Sequence, residues 1–265
     1  MEIDRIKEQY YDEGYFVVDD VALGLLDEME QAALRVVAKA RSGQVDLAGL
    51  GPDITAIYGI VAPQFAERVF GQYLCCDEVL RYVEAFFGSA IRMGHALLWA
   101  VEGDYDTGWH RDLGSVIDRS EAEEMAILQE PLTQLKWQTA LRDDPCLWVV
   151  PGSHARYRSE REAIVLRERK GDLPGQVQIQ LKRGQTVFWN HKLIHRGRKP
   201  ASMTSRLSVA GCLKAFDPDS VNDYASERWR WRTAADLRDY LPAKLQLFYD
   251  RWRSLKQPSQ YCCYI

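Results

Sequence analysis

With 265 residues, 46% of them apolar and 27% charged, the chain holds enough apolar material for a sizeable core and too much for a disordered segment. Its 34 Lys and Arg against 38 Asp and Glu leave a formal net charge of −4, which excludes a broad basic field for nucleic acid or an anionic membrane. No window reaches the length of a membrane span, and Met1-Glu2-Ile3-Asp4-Arg5 has neither the apolar run nor the cleavage site of a signal peptide.

Ile3, Ile6 and Tyr10 at helical spacing predict a helix over 3–13 that Gly14 ends, and Tyr15-Phe16-Val17-Val18 follows as a short strand. Asp20 is read as the cap of a second helix whose stripe is Leu25, Leu26, Met29, Ala33, Val36, Val37 and Ala40. Gly43 closes that helix, which is expected to pack on the outside of a sheet. Over 44–63, Gly49, Gly51, Pro52 and Gly59 break the pattern into loops suited to covering a barrel mouth. Asp77 is read as capping a further helix through Val79, Leu80, Val83, Phe86 and Phe87, with Gly88 at its C-terminal end. Ile91 to Val101 reads as a long strand whose inner face carries either Arg92 and Leu98 or His95 and Trp99.

A polar turn over 102–108 leads into Gly108-Trp109-His110-Arg111-Asp112, read as extended chain. The acidic stretch 118–130 is weakly helical and is expected to be a solvated insertion near the site, in the manner of a lid. Strands are predicted at 134–141 and 146–150, joined by the tight turn Arg142-Asp143-Asp144-Pro145. A charged amphipathic helix over 159–169 precedes strands at 176–181, 184–190 and 205–210. Trp229, Trp231, Leu237, Tyr240, Leu241, Leu245, Phe248, Tyr249 and Trp252 mark a helical C-terminal region that packs on the barrel or on a partner subunit, the second arrangement giving a homodimer. Six cysteines, four in the pairs Cys75-Cys76 and Cys262-Cys263, make neither a disulfide framework nor a zinc site. Reduced thiols in a cytoplasmic protein are expected.

On extended chain, His110 and Asp112 project from one face, because strand side chains alternate with period two. One imidazole nitrogen and one carboxylate oxygen can then reach the same metal ion. A second histidine from a distant strand would complete the two-histidine, one-carboxylate set that holds Fe(II) with open positions. His195 follows the glycine-led strand Gly184 to Asn190, and eleven residues later Arg206 lies on the same face as Ser208 and Ala210. A lone arginine on a small-residue face suits a carboxylate.

His110-x-Asp112, Thr139-Ala140-Leu141, Cys146 to His154, His195 and Arg206, in that order and spacing, resemble the phytanoyl-CoA dioxygenase family of Fe(II)- and 2-oxoglutarate-dependent oxygenases. The likeness runs from about Tyr10 to Phe216. It implies a double-stranded β-helix (jelly roll, cupin-like) core with flanking helices, in a single domain over 1–265. The parts would be a helical segment at about 1–88, the jelly roll at about 89–215 and a helical region at about 216–265. It further implies His110, Asp112 and His195 as iron ligands and Arg206 as partner of the far carboxylate of 2-oxoglutarate. Gln138 falls on the strand that lines the cosubstrate pocket, and a contact from it to 2-oxoglutarate is expected, although several relatives have an aromatic there. Gly197 falls where relatives often have a serine that helps hold the cosubstrate.

The implied reaction uses dioxygen to convert 2-oxoglutarate to succinate and carbon dioxide while hydroxylating an aliphatic carbon of a small molecule. Asp112 argues against halogenation, for which relatives carry a small residue in its place. Arg111 should point away from the metal and form a salt bridge on the outer face. Trp99 and Trp109 are read as core aromatics, His191 as an exposed turn residue or a lip of the pocket, and His154 as structural. The second reading is a protein that binds iron and 2-oxoglutarate without turnover, as a sensor or partner subunit.

Overall fold

Ile6 and Tyr10 lie about one helical turn apart, and α1 (Glu2–Glu13) buries both. The computed structural model describes residues 2–19, 21–47, 55–114, 117–222 and 227–256. Gly14 turns the chain at φ +87°, and a Cβ there would sit 2.7 Å from His154 Nδ1, so the exit from α1 requires glycine. β1 (Tyr15–Val18) follows at once. The second helix, α2 (Leu26–Arg41), begins six residues after Asp20, which lies outside the described residues. Leu25 occupies its N-cap without a side-chain hydrogen bond, and Asp27 and Glu28 in the first turn supply the favourable charge.

β2 (Ala56–Tyr58) and α3 (Val69–Leu74) were not anticipated, being too short to show a period. In α4 (Asp77–Phe87) the cap is Cys76, and Asp77 is the first helical residue. Then come β3 (Ile91–Val101), α5 (Glu121–Gln129), β4 (Gln134–Ala140), β5 (Asp144–Val149), α6 (Glu160–Glu168), β6 (Val177–Leu181), β7 (Thr186–Trp189), β8 (His195–Gly197), β9 (Arg206–Ala215), α7 (Leu237–Tyr240) and α8 (Ala243–Ser254). No helix among the described residues is long and apolar enough to cross a membrane.

Two antiparallel sheets face each other without closing into a barrel. One runs β1-β7-β4-β9-β3-β2 and the other β6-β5-β8, the jelly-roll arrangement with flanking helices. The large sheet takes β1 and β2 from the first 88 residues. Its outer face carries Leu98, Leu135, Trp137, Phe188 and Val209 into a core shared with α1 to α4 and α8. Leu245, Phe248, Tyr249 and Trp252 of α8 join that core, so the C-terminal aromatic region packs on this sheet. Between the sheets, Ala140, Leu147, Val149, Ile179, Val187 and Trp189 form a smaller apolar cluster, beyond which the sandwich opens into a cavity of about 870 Å³.

Candidate metal centre

The segment at His110 is not a strand. It makes one bridge to β8, with His110 and His195 exchanging N–H to C=O hydrogen bonds of 2.9 Å, and the Asp112 N–H then donates to the His191 carbonyl at 2.9 Å. The expected result nonetheless follows, because alternation survives over three residues. One ligand atom from each of His110, Asp112 and His195 lies within 4.8 Å of the others. Nε2 of His110 is 3.7 Å from Asp112 Oδ1, and Nε2 of His195 is 3.4 Å from Oδ2.

Both imidazoles are held the same way. The Nδ1–H of His110 donates to the Gly108 carbonyl at 2.8 Å and that of His195 to the Leu193 carbonyl at 2.8 Å, which leaves each Nε2 as the free lone pair. Gly108 needs to be glycine: its φ is +66°, and a Cβ would meet Arg169 Cβ at 2.6 Å. Burial, then the neighbouring His195, pushes His110 down to about 4, so it is neutral at pH 7. Burial alone would raise the Asp112 carboxyl, but Lys136 and the two imidazoles outweigh it and hold it well below the usual carboxylate range. Lys136 Nζ lies 2.5 Å from Asp112 Oδ2 and 5.1 Å from the centre of the Trp189 ring.

Arg206 is buried at the other side of this cavity, on the same face of β9 as Ser208 and Ala210. Its Nε donates to Asp144 Oδ2 and its Nη2 to Gln138 Oε1, both at 2.9 Å. The Gln138 amide and the Ser208 hydroxyl donate to Asp144 as well, at 2.8 and 2.5 Å. Gln138 is thus hydrogen-bonded at both ends of its side chain. Asp144 was expected in a tight turn; it is the first residue of β5, fully buried, and the chain crosses there from one sheet to the other. Burial works against the Arg206 charge, and Asp144 is foremost among the neighbours that together outweigh it and raise the guanidinium instead. Nη1 of Arg206 is buried and has no hydrogen-bond partner among the described residues.

Some residues take other places than the sequence suggested, while Trp109 and His154 lie as expected. Trp99 lines the cavity, with its ring centre 5.0 Å from the Arg206 guanidinium, so His95 and Trp99 are the inward pair of β3. Trp109 is a buried aromatic whose indole N–H donates to the Gly171 carbonyl at 2.9 Å. Arg111 is buried, not on an outer face; its Nη1 donates to the Ser153 carbonyl at 2.7 Å and its Nε lies 3.4 Å from Glu124. Glu124 also pairs with Arg158 and is itself fully buried, so α5 is docked and not a solvated insertion. His191 is buried, and burial pushes it down to about 3. His154 is structural, donating from Nε2 to the Tyr11 carbonyl at 3.0 Å. Lys136, Tyr105 and Trp229 line the cavity without any sequence pattern marking them.

Comparisons with known proteins bear on the fold and the family. A crystal structure of EctD from S. alaskensis with 2-oxoglutarate and 5-hydroxyectoine superposes with a TM-score of 0.64 at 16% identity, over 96% of this chain and 87% of that one. The epimerase SnoN in complex with Fe3+, alpha ketoglutarate and nogalamycin RO gives 0.57 at 21% identity, over 81% and 84%. The carbocyclase SnoK from nogalamycin biosynthesis gives 0.57 at 19%, over 80% and 84%. At these identities the likeness is one of fold. No protein of curated function matches the sequence significantly. The model of the family described as Phytanoyl-CoA dioxygenase (PhyH) matches residues 10–208, from Tyr10 of α1 to Ser208 of β9, and takes in both histidines, Asp112 and Arg206. The chain belongs to the phytanoyl-CoA dioxygenase family.

Proposed function

We propose that this protein is a non-haem Fe(II)- and 2-oxoglutarate-dependent oxygenase that hydroxylates an aliphatic carbon of a small molecule. The observation that carries the reading is one cavity holding two imidazoles and a carboxylate at ligand spacing, together with a buried guanidinium that has a nitrogen unpartnered among the described residues. The donor set fits iron: His110 and His195 present Nε2 with Nδ1 tied back, and Asp112 supplies the anion. Lys136 holds one Asp112 oxygen and so orients the other. Nη1 of Arg206 fits an anionic cosubstrate.

Iron with the 2-oxo acid, when bound, supplies the oxidising chemistry, with succinate and carbon dioxide as co-products. The chain contributes position and dryness. Trp99, Tyr105, Trp189 and His95 wall the cavity, and Asp144 keeps Arg206 charged and aimed without binding cosubstrate itself. Gln138, held between Arg206 and Asp144, lies at the cosubstrate end. The described cysteines, Cys75, Cys76, Cys146 and Cys212, are free, in keeping with a reducing cytoplasm.

Anaerobic addition of Fe(II) and then 2-oxoglutarate should produce a weak visible charge-transfer absorption. Asp112→Ala should weaken it, and Arg206→Ala should need far more 2-oxoglutarate. A wild-type protein without the absorption sinks the reading. Succinate release in air then separates turnover from mere binding. Epimerisation or ring closure is the second outcome, favoured by the likeness to SnoN and SnoK. Labelled dioxygen tells them apart, since only hydroxylation leaves its oxygen in the product.

A further inference from the structure

Arg206 offers a carboxylate one of its three nitrogens. Its Nε is committed to Asp144 and its Nη2 to Gln138, which leaves Nη1 as the guanidinium nitrogen without a partner among the described residues. A carboxylate offers two oxygens and about four acceptor sites, and in a buried place each oxygen left unmet costs affinity. The nearby side-chain donors are mostly spent. The Ser208 hydroxyl and the Gln138 amide both donate to Asp144, and Gly197 has no side chain.

Tyr105 is the exception: its hydroxyl adjoins the Arg206 guanidinium, from which it can only accept, so its O–H proton is left to donate. It lines the same cavity, with its ring centre 5.4 Å from the Arg206 guanidinium and 5.7 Å from the Trp99 ring. The Lys199 N–H donates to its carbonyl at 2.9 Å, which fixes the backbone beneath the ring. Its hydroxyl rests over Gly197: a Cβ on that glycine would lie 2.5 Å from the Tyr105 oxygen and 2.8 Å from a ring carbon. A larger residue at 197 would require this tyrosine to shift. Burial pushes the phenol up to about 12 in spite of the adjacent Arg206 charge, so it stays protonated at neutral pH.

We propose that the Tyr105 hydroxyl and Arg206 Nη1 together grip the far carboxylate of the 2-oxo acid, with Gly197 kept bare to admit the ring. The inference rests on the oxygenase reading above. Tyr105 is then a cosubstrate-binding residue, and Tyr105 with Gly197 forms a matched pair.

The test is the anaerobic charge-transfer titration of Fe(II)-loaded protein with two probes, 2-oxoglutarate and 2-oxopentanoate, which has the same chain length without the far carboxylate. Tyr105→Phe should raise the Kd for 2-oxoglutarate roughly tenfold, the weight of one hydrogen bond to a charged group. It should leave the Kd for 2-oxopentanoate, the affinity for Fe(II) and the melting temperature near wild type. Tyr105→Ala combined with Gly197→Ser should bind 2-oxoglutarate more tightly than Tyr105→Ala alone, because a serine hydroxyl can enter the vacated space. A Tyr105→Phe protein with wild-type affinity, or one that loses equally on both oxo acids, overturns the grip. Iron binding with no absorption from 2-oxoglutarate in the wild-type protein overturns the oxygenase reading and the grip with it.

Discussion

Arg111 stands in sequence between two residues of the ligand set, and it serves the fold. It alternates away from His110 and Asp112 into a buried cluster with Glu124 and Arg158, and its guanidinium also meets the backbone of Ser153. Burial pushes the guanidinium down to about 10, still charged at neutral pH, with Glu162 acting against that shift and Glu124 as the carboxylate in contact with it. Removing one partner of a buried ionic cluster leaves the others uncompensated. Glu124→Ala should therefore cost about 3–5 kcal/mol in urea denaturation, with Glu124→Gln intermediate. A loss below about 1 kcal/mol would show the cluster to be solvated after all. The stretch around Glu124 read as a solvated insertion because its acids are many and its period weak. Whether a glutamate is buried depends on which cations the rest of the chain brings to it, and Arg111 and Arg158 come from distant segments. Asp144 misled in the same way, since an Asp-Asp-Pro sequence carries turn chemistry whatever its tertiary partner.

β3 shows why a strand can be found and yet not oriented. Its residues are buried on both faces, or nearly so, and such a strand has no alternation to reveal which side is inward. The choice between Arg92 with Leu98 and His95 with Trp99 is made by the register against β9, which shifts between Met93 and His95. Gly94 permits that irregularity: a Cβ there would stand 2.4 Å from the Cys212 carbonyl oxygen, which is backbone and cannot swing aside. Gly94→Ala should destabilise the protein by about 1–3 kcal/mol, from overpacking, and shift the cavity wall at His95. Thermal melting checks the first effect, and quenching of the tryptophans around the cavity checks the second. Unchanged melting would mean that β3 and β9 can separate freely there. The helices were more legible, because α1, α2, α4 and α6 each bury one stripe and expose the other. Their starting residues were less so, as Leu25 and Cys76 at the N-caps of α2 and α4 show.

Across the whole molecule, buried histidines set a pH dependence. Burial pushes His191 down to about 3, and burial with Lys136 and Arg232 nearby holds His95 well below its ordinary value. Unfolded, both would titrate near 6.5. Between that value and the folded values the unfolded chain binds more protons, so stability is full above about pH 6.5 and falls as the pH drops below it. For His191 the loss is about 2 kcal/mol by pH 5. The paired carboxylates, whose values are lowered in the fold, lose their contribution only below about pH 4, outside this window. Urea denaturation of the metal-free protein at several pH values should show the decline, and His191→Gln should make it shallower, His95 and His110 supplying the remainder. A profile level from pH 7.5 to 5 would contradict the burial of these rings.

What the chain determines by itself is whatever is local. His110 and Asp112 need only two residues of alternation to share a face, and the same holds for Arg206 with Ser208, so these groupings could be read before any fold was known. The jelly roll was legible from the order of its blocks. The tertiary structure alone decided what meets those residues: Lys136 on Asp112, Asp144 and Gln138 on Arg206, Tyr105 over Gly197, Glu124 under Arg111. Each of those meetings joins segments remote in the chain, some of them in different sheets. Sheet pairing sets their distances, and no periodicity within either segment encodes it.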